Sequence, residues 1–265
     1  MPQLTSFRLT PAPAAIAALL AGACNVFAFA PFGFWPLQIL ALALLFHLLL
    51  QAQSVKAGVL LGWLYGFGWS AVCVYWLYIS MHQYGGMPAP LAALAVALLA
   101  LLLGAFPALA TGLATRFRLA RSVPAWIMLL LVLPALWMFS EWLRGWVLTG
   151  FPWAISGYAH TDSPLTGYAS LIGVYGLGWL AAVLAACLAL LPGRKAAAGL
   201  FLAILLSGLG LKSVSWTMPN GQAISVRLLQ GNVPQEIKFD AEQTNATLTL
   251  YLSLIHISEP TRQEA

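Results

Sequence analysis

Seven runs in this chain, at residues 12–30, 34–51, 57–80, 89–114, 123–140, 165–191 and 196–211, contain no Asp, Glu, Lys or Arg. A crossing helix needs roughly 20 apolar residues, so the pattern predicts an all-α polytopic membrane bundle of about seven transmembrane helices, the last the shortest. Only 7% of the residues are charged, against roughly 25% in a soluble domain, which excludes a water-soluble globule. The formal net charge of +5 does not imply a nucleic-acid partner, because the cations sit in short loops between the runs. If the runs alternate in direction, Arg8, Lys56, Arg116, Arg118, Arg121, Arg194 and Lys195 share one side. The opposite short loops hold Arg144, with Lys212 just past the last run. Cationic loops stay cytoplasmic, so the N-terminus is expected in the cytoplasm and everything after residue 211 outside.

Residues 1–30 have the outline of a signal peptide, Arg8 followed by an apolar run ending Ala28-Phe29-Ala30. Pro31 and a second run follow at once, so an uncleaved first span is expected. Cys24, Cys73 and Cys187 each lie inside an apolar run without a C-x-x-C or histidine partner. They read as small hydrophobes, and neither a disulfide framework nor a metal site is expected.

Glu141 is the first acidic residue of the chain, and Arg144 follows three positions later. On a helix the two share a face and can pair. Charge at membrane depth is expensive and marks a functional-site hypothesis. Gly145, Gly150 and Pro152 then break the helix before Trp153, Gly157 and Tyr158. Broken backbone beside a bilayer needs protein or water to cover it, so the stretch reads as a re-entrant or interfacial segment at a cavity mouth. The alternative is a plain helix end anchored by tryptophans at headgroup level.

Two further outer loops share its aromatic, Gly- and Pro-rich character: Pro31 to Pro36, and Trp76 to Gly86. Together they suggest an outward-facing apolar groove for lipid chains. Trp76, Glu141, Arg144, Phe151, Pro152, Trp153 and Tyr158 are the candidate groove residues, Glu141 and Arg144 bracing the bundle rather than touching substrate. His47 reads as a satisfied helix histidine, and His82 and His160 as polar residues of the outer rim. Gly58, Gly62 and Gly66 repeat at the four-residue spacing of close-packed membrane helices. Gly173, Gly176 and Gly178 lack the strand and the spacing of a nucleotide loop and are also assigned to packing.

After residue 211 the pattern changes. Ile224-Ser225-Val226-Arg227-Leu228 alternates as a strand does, Gln230-Gly231-Asn232-Val233-Pro234-Gln235 is a turn signal, and Asp240 with Gln243 forms a capping box for a helix. Leu248, Tyr251 and Leu252 would line that helix's inner face. This is the opening of an α/β domain.

The residues carrying a resemblance are Pro31-Phe32, Trp35-Pro36, Trp76, Gly85-Gly86-Met87-Pro88, the Glu141–Trp153 motif with Gly157-Tyr158, Pro164-Leu165 and the Gln230–Gln235 turn. Over residues from about 14 to 251 the chain resembles the N-terminal half of apolipoprotein N-acyltransferase. The resemblance implies a transmembrane domain at 1–211 and the first strand and helix of an incomplete nitrilase-like domain at 212–252. It also implies acyl transfer from a phospholipid donor, through a cysteine thioester, to the N-terminal amine of a diacylglyceryl-lipoprotein. A glutamate base and an oxyanion-stabilising lysine assist, no cofactor is needed, and the partners are these substrates and membrane lipids. The chain departs from the family at 253–265, an atypical tail. Glu259 precedes a proline where the family's Trp-Pro-Glu motif has its glutamate after one, so no catalytic residue is assigned and the polypeptide alone is expected to be inactive. A transporter or channel and a non-catalytic membrane scaffold are the rival readings, the former weakened by the absence of an internal repeat and of acidic residues before Glu141.

Overall fold

The computed structural model describes residues 11–121, 123–191, 194–226, 228–234, 237–238 and 242–258. Each apolar run folds as helix. α1 is Pro11–Cys24, continued by a 3-10 turn Asn25–Ala28; α2 is Pro36–Gln51; α3 is Val55–Cys73. α4, Tyr75–Ile79, leads into a π turn Ser80–Tyr84, and α5 is Ala89–Arg121. The short α6, Ala125–Ile127, passes through a π stretch Met128–Val132 into α7, Leu133–Arg144. α8 is Ala169–Leu190, α9 Ala196–Leu211 and α10 Thr244–Ser258.

Length separates these helices. Pro11–Ala28, Ala89–Arg121, Ala125–Arg144 and Pro164–Leu190 are long and apolar enough to cross a membrane, and Val55–Cys73 with Tyr75–Tyr84, bent by 48°, makes a fifth. α2 and α9 are apolar but have 16 residues each, about 24 Å of helix against a hydrocarbon core of about 30 Å. Among the described residues, four or five helices therefore reach crossing length, and α2 and α9 do not.

Small residues let the helices meet. In lipid no hydrophobic force drives apolar helices together, so close backbone approach does. Along α3, a Cβ on Gly58 would collide with Thr115, on Gly62 with Thr111, and on Gly66 with Pro107 and Gly104, all on α5. On the other side of α3, Gly68 lies against the Leu19 backbone of α1. The Gly58/Gly62/Gly66 pattern is thus the α3–α5 seam. Thr111 and Thr115 satisfy their hydroxyls within α5, donating to the Pro107 and Thr111 carbonyls at 2.9 and 2.8 Å. The second glycine cluster divides. Gly178 packs against Met138, but Gly173 has φ +62 with open space around it and kinks α8. Packing is the wrong reading for Gly173, because a helix-breaking φ is available only without a Cβ penalty.

The basic links collect at one end. Arg118 donates to the Ala52 carbonyl, tying the end of α5 to the α2–α3 link, and Arg194 stands over the Trp126 ring at 5.6 Å, tying the α8–α9 link to α6. Arg8 lies outside the described residues. At the opposite end Lys212 reaches the Asp162 carbonyl at 3.4 Å.

Beyond α9 the expected strand is absent: residues 224–226 and 228 have no regular structure, and Arg227 is outside the described residues. Alternation becomes a strand only when a neighbour supplies the ladder, and the described residues contain no such partner. Asp240 of the capping box and Gln235 of the turn also lie outside them. α10 begins at Thr244, runs beyond Tyr251, and leaves Leu248, Tyr251 and Leu252 exposed rather than on an inner face.

Candidate functional site at the aromatic end

Glu141 and Arg144 occupy the last turn of α7, both buried, with Nη2 and Oε2 4.0 Å apart. A buried ion pair is tolerable only if its remaining donors and acceptors find partners, and here they do. The Glu141 carboxylate accepts from the Ser156 amide at 2.8 Å and from the Ser156 hydroxyl. Arg144 donates from Nη1 to the Trp153 carbonyl at 2.8 Å and from Nη2 to the Ala154 carbonyl at 3.4 Å, while its guanidinium lies 5.7 Å from the centre of the Trp69 ring. Trp69 stacks on Trp137, and Trp137 Nε1 donates to Ser156 Oγ at 3.3 Å. The pair thus links the end of α7 to residues 153–156 of the loop that follows it.

The network continues into α2. Gln38 Nε2 donates to the Ser156 carbonyl at 3.2 Å, which leaves Gln38 Oε1 to accept from His160 Nε2 at 2.7 Å. Gln38 thereby selects the tautomer protonated on Nε2, with His160 Nδ1 3.2 Å from Ser163 Oγ. Burial pushes the His160 imidazole down to about 4, since a charged ring would lose its water. His160 is 0% exposed, so it is no part of an outer rim; the rule that loop histidines face water failed because this loop folds back into the bundle. His82 is partly exposed, its Nδ1 2.8 Å from the Met87 carbonyl, and His47 pairs with Gln51 at 2.8 Å.

The broken segment folds back against the bundle. Ile155, Ser156, Gly157, Ala159 and His160 are buried, and a Cβ on Gly157 would collide with the Val174 carbonyl of α8. Its outer part is strained: Leu148, Thr149 and Ala154 have φ of 53, 73 and 54, and each such non-glycine residue costs roughly 1–3 kcal/mol. The Arg144 bonds to residues 153 and 154, and the Phe151 amide bond to the Arg144 carbonyl at 2.8 Å, hold that strain in place. Phe151 packs against a small cluster of Val74, Val96 and Leu103.

Held this way, Trp153 is 58% exposed and meets Trp76, 46% exposed, edge to face with ring centroids 5.8 Å apart. The 48° bend between α3 and α4 carries Trp76 to that meeting. Pro152 and Tyr158 are exposed nearby in sequence, and Tyr158 does not join the ring pair. Phe139, Trp142 and Trp146 form a separate outward ladder, with centroids 5.9 and 6.1 Å apart, the arrangement of an interfacial belt. Between Trp69, Cys73, Arg144, Phe151 and Trp153 there is a void of about 10 Å³, room for one water at most. Sequence reasoning missed Ser156, Gln38, Trp69 and Trp137. Gln38 alone carried a signal, an amide inside an apolar run.

A helical bundle with helices of crossing length, closed at one end by a buried ion pair and a strained aromatic loop, defines an integral membrane protein. Residues 21–187 match the family model described as the apolipoprotein N-acyltransferase N-terminal domain. The chain is 46% identical to apolipoprotein N-acyltransferase of Ralstonia nicotianae, over 91% of this chain and 46% of that protein. It is 41% identical to the Nitrosomonas europaea enzyme of the same name, over 92% and 49%, and 42% identical to that of Methylococcus capsulatus, over 91% and 48%. The chain belongs to the apolipoprotein N-acyltransferase family, and it spans about half the length of the curated relatives it matches.

Proposed function

We propose that this stretch is the membrane domain of a lipoprotein N-acyltransferase, and that the loop around Trp76 and Trp153 forms the mouth through which lipid substrates reach the reaction. In the full reaction a cysteine thiolate attacks an acyl ester of a phospholipid, forming a thioester as the ester C–O bond breaks and the protonated lysophospholipid leaves. The N-terminal amine of a diacylglyceryl-lipoprotein then attacks the thioester carbonyl and releases the thiolate. None of Cys24, Cys73 and Cys187 is the nucleophile in this reading. The helices cross the inner membrane seven times from a cytoplasmic N-terminus, α2 and α9 as short spans, and residues 212–252 begin the nitrilase-like domain on the periplasmic side.

The observation that carries the proposal is the Trp76–Trp153 pair. Two large, half-exposed indoles at the end opposite the basic links offer apolar area at a membrane–water boundary, where such rings favour acyl chains and headgroups alike. The ion pair beneath them is saturated by backbone and serine partners, which suits a brace and weighs against an ion pathway. Photolabelling tests this. A phospholipid with a diazirine near the acyl carbonyl should label the loops around Trp76 and Trp153, and Trp153→Ala should reduce the labelling. Unchanged labelling in Trp153→Ala, or labelling confined to other helices, would count against the proposal.

A further inference from the structure

Running from the basic end of the bundle toward its middle, α6–α7, α8 and α9 line an open apolar groove of about 360 Å³, within the roughly 300–1,000 Å³ of small-ligand sites. Trp126, Leu130, Leu131, Trp179, Leu200 and Ile204 line it. Going inward from the basic end, α6–α7 descends from Trp126 to Leu131 and α9 from Leu200 to Ile204, so the groove is about one helical turn and a half deep. Its shape has a local cause. Pro134 cannot donate to the Leu130 carbonyl, and the preceding stretch Met128–Val132 widens to π geometry, a feature frequent at functional sites; Leu130 and Leu131 are in that stretch.

The mouth is cationic. Arg194 stacks over Trp126, a lining residue, at 5.6 Å. Lys195 follows it and Arg121 ends α5 just before α6, all three exposed. The links at this end contain no Asp or Glu, so no carboxylate of these links neutralises them. We propose that this groove binds one anionic glycerophospholipid of the adjoining leaflet, an acyl chain lying between Trp126, Trp179 and Leu200 and the phosphate meeting Arg194. A cation standing over an apolar slot at headgroup depth fits an amphiphile with a negative head, and basic pockets between membrane helices bind such lipids. The site is independent of the acyl-transfer reading, sharing no lining residue with the aromatic pair or the ion-pair network.

Native mass spectrometry of the purified chain, offered phosphatidylglycerol or phosphatidylcholine of matched chains, tests it. The chain should retain one phosphatidylglycerol in preference to phosphatidylcholine by about fivefold, the effect of one cation near a membrane surface. Arg194→Gln should abolish the preference, and Leu200→Trp, which fills the slot from an exposed position, should abolish the adduct, with helical circular dichroism unchanged in both. A diazirine-tailed phosphatidylglycerol should crosslink to residues 126–131 and 200–204. Equal retention of the two lipids by the unaltered chain, variants that bind as it does, or crosslinks between two copies at Trp126 and Trp179 instead of to lipid would overturn the proposal.

Discussion

Arg144 holds Trp153 by its backbone: Nη1 donates to the Trp153 carbonyl at 2.8 Å while the indole faces outward against Trp76. The orientation of an exposed aromatic is therefore set by a charge buried in the bundle. Glu141 fixes Arg144, Ser156 fixes Glu141, and Gln38 joins both to His160. One polar chain thus ties α2, α7 and the loop that follows α7.

Removing both members of the ion pair should cost less than the sum of removing each. Glu141→Ala strands a buried guanidinium and the Ser156 amide, and a loss of about 3–5 kcal/mol is expected. Glu141→Gln combined with Arg144→Met should lose clearly less than the sum of the single losses. Unfolding free energies in mixed micelles provide the comparison; strict additivity would contradict the coupling.

The buried histidine makes stability depend on acid. His160 titrates near 4 in the folded chain and near 6.5 when unfolded, so between these values the unfolded state binds the extra proton. Stability is complete above pH 6.5 and falls as the pH drops toward 4, by an amount on the order of 3 kcal/mol. His160→Gln should flatten the melting-temperature profile over that window. A variant profile as steep as the original would exclude His160 as its source.

Glycine should matter at the seam and not on the open face of α9. Gly62→Val must push Thr111 of α5 aside, and overpacking of this kind costs about 1–3 kcal/mol. Gly199 has nothing within 4 Å of a built Cβ, so Gly199→Ala should be neutral or stabilising by up to about 1 kcal/mol. Equal destabilisation of the two would rule out the α3–α5 seam as the reason for the glycine repeat.

What the sequence made legible follows from which signals are local. Each apolar run became a helix because composition alone decides that inside a bilayer, and the Glu141–Arg144 pair followed from helical spacing. Whether a run is long enough to cross was harder to read, because Ala52 caps α2 and Ser54 caps α3 within three residues of Gln51. Trp76 and Trp153 were each suspected, but their meeting depends on a bend at Val74 that no periodicity encodes. Ser156 and the burial of His160 were illegible, since both arise from a loop that turns inward for tertiary reasons. The alternation at 224–228 misled because it describes a face, not a partner.

Topology can be read directly. Reporters fused after Arg121 and after Leu211 should lie on opposite sides of the membrane, the first cytoplasmic, as the cationic links require. Both on one side would mean that α9, at 16 residues, does not cross.

The most direct measurement joins residues 14–251 to the C-terminal half of a full-length relative and supplies the chimera to cells depleted of their own enzyme. Mass spectrometry of a lipoprotein N-terminus then reads acylation. The account predicts that the chimera N-acylates the substrate and that Trp153→Ala, at equal protein level and melting temperature, slows it by about tenfold or more. A folded chimera without acylation, or wild-type rates in both Trp76→Ala and Trp153→Ala, would contradict it.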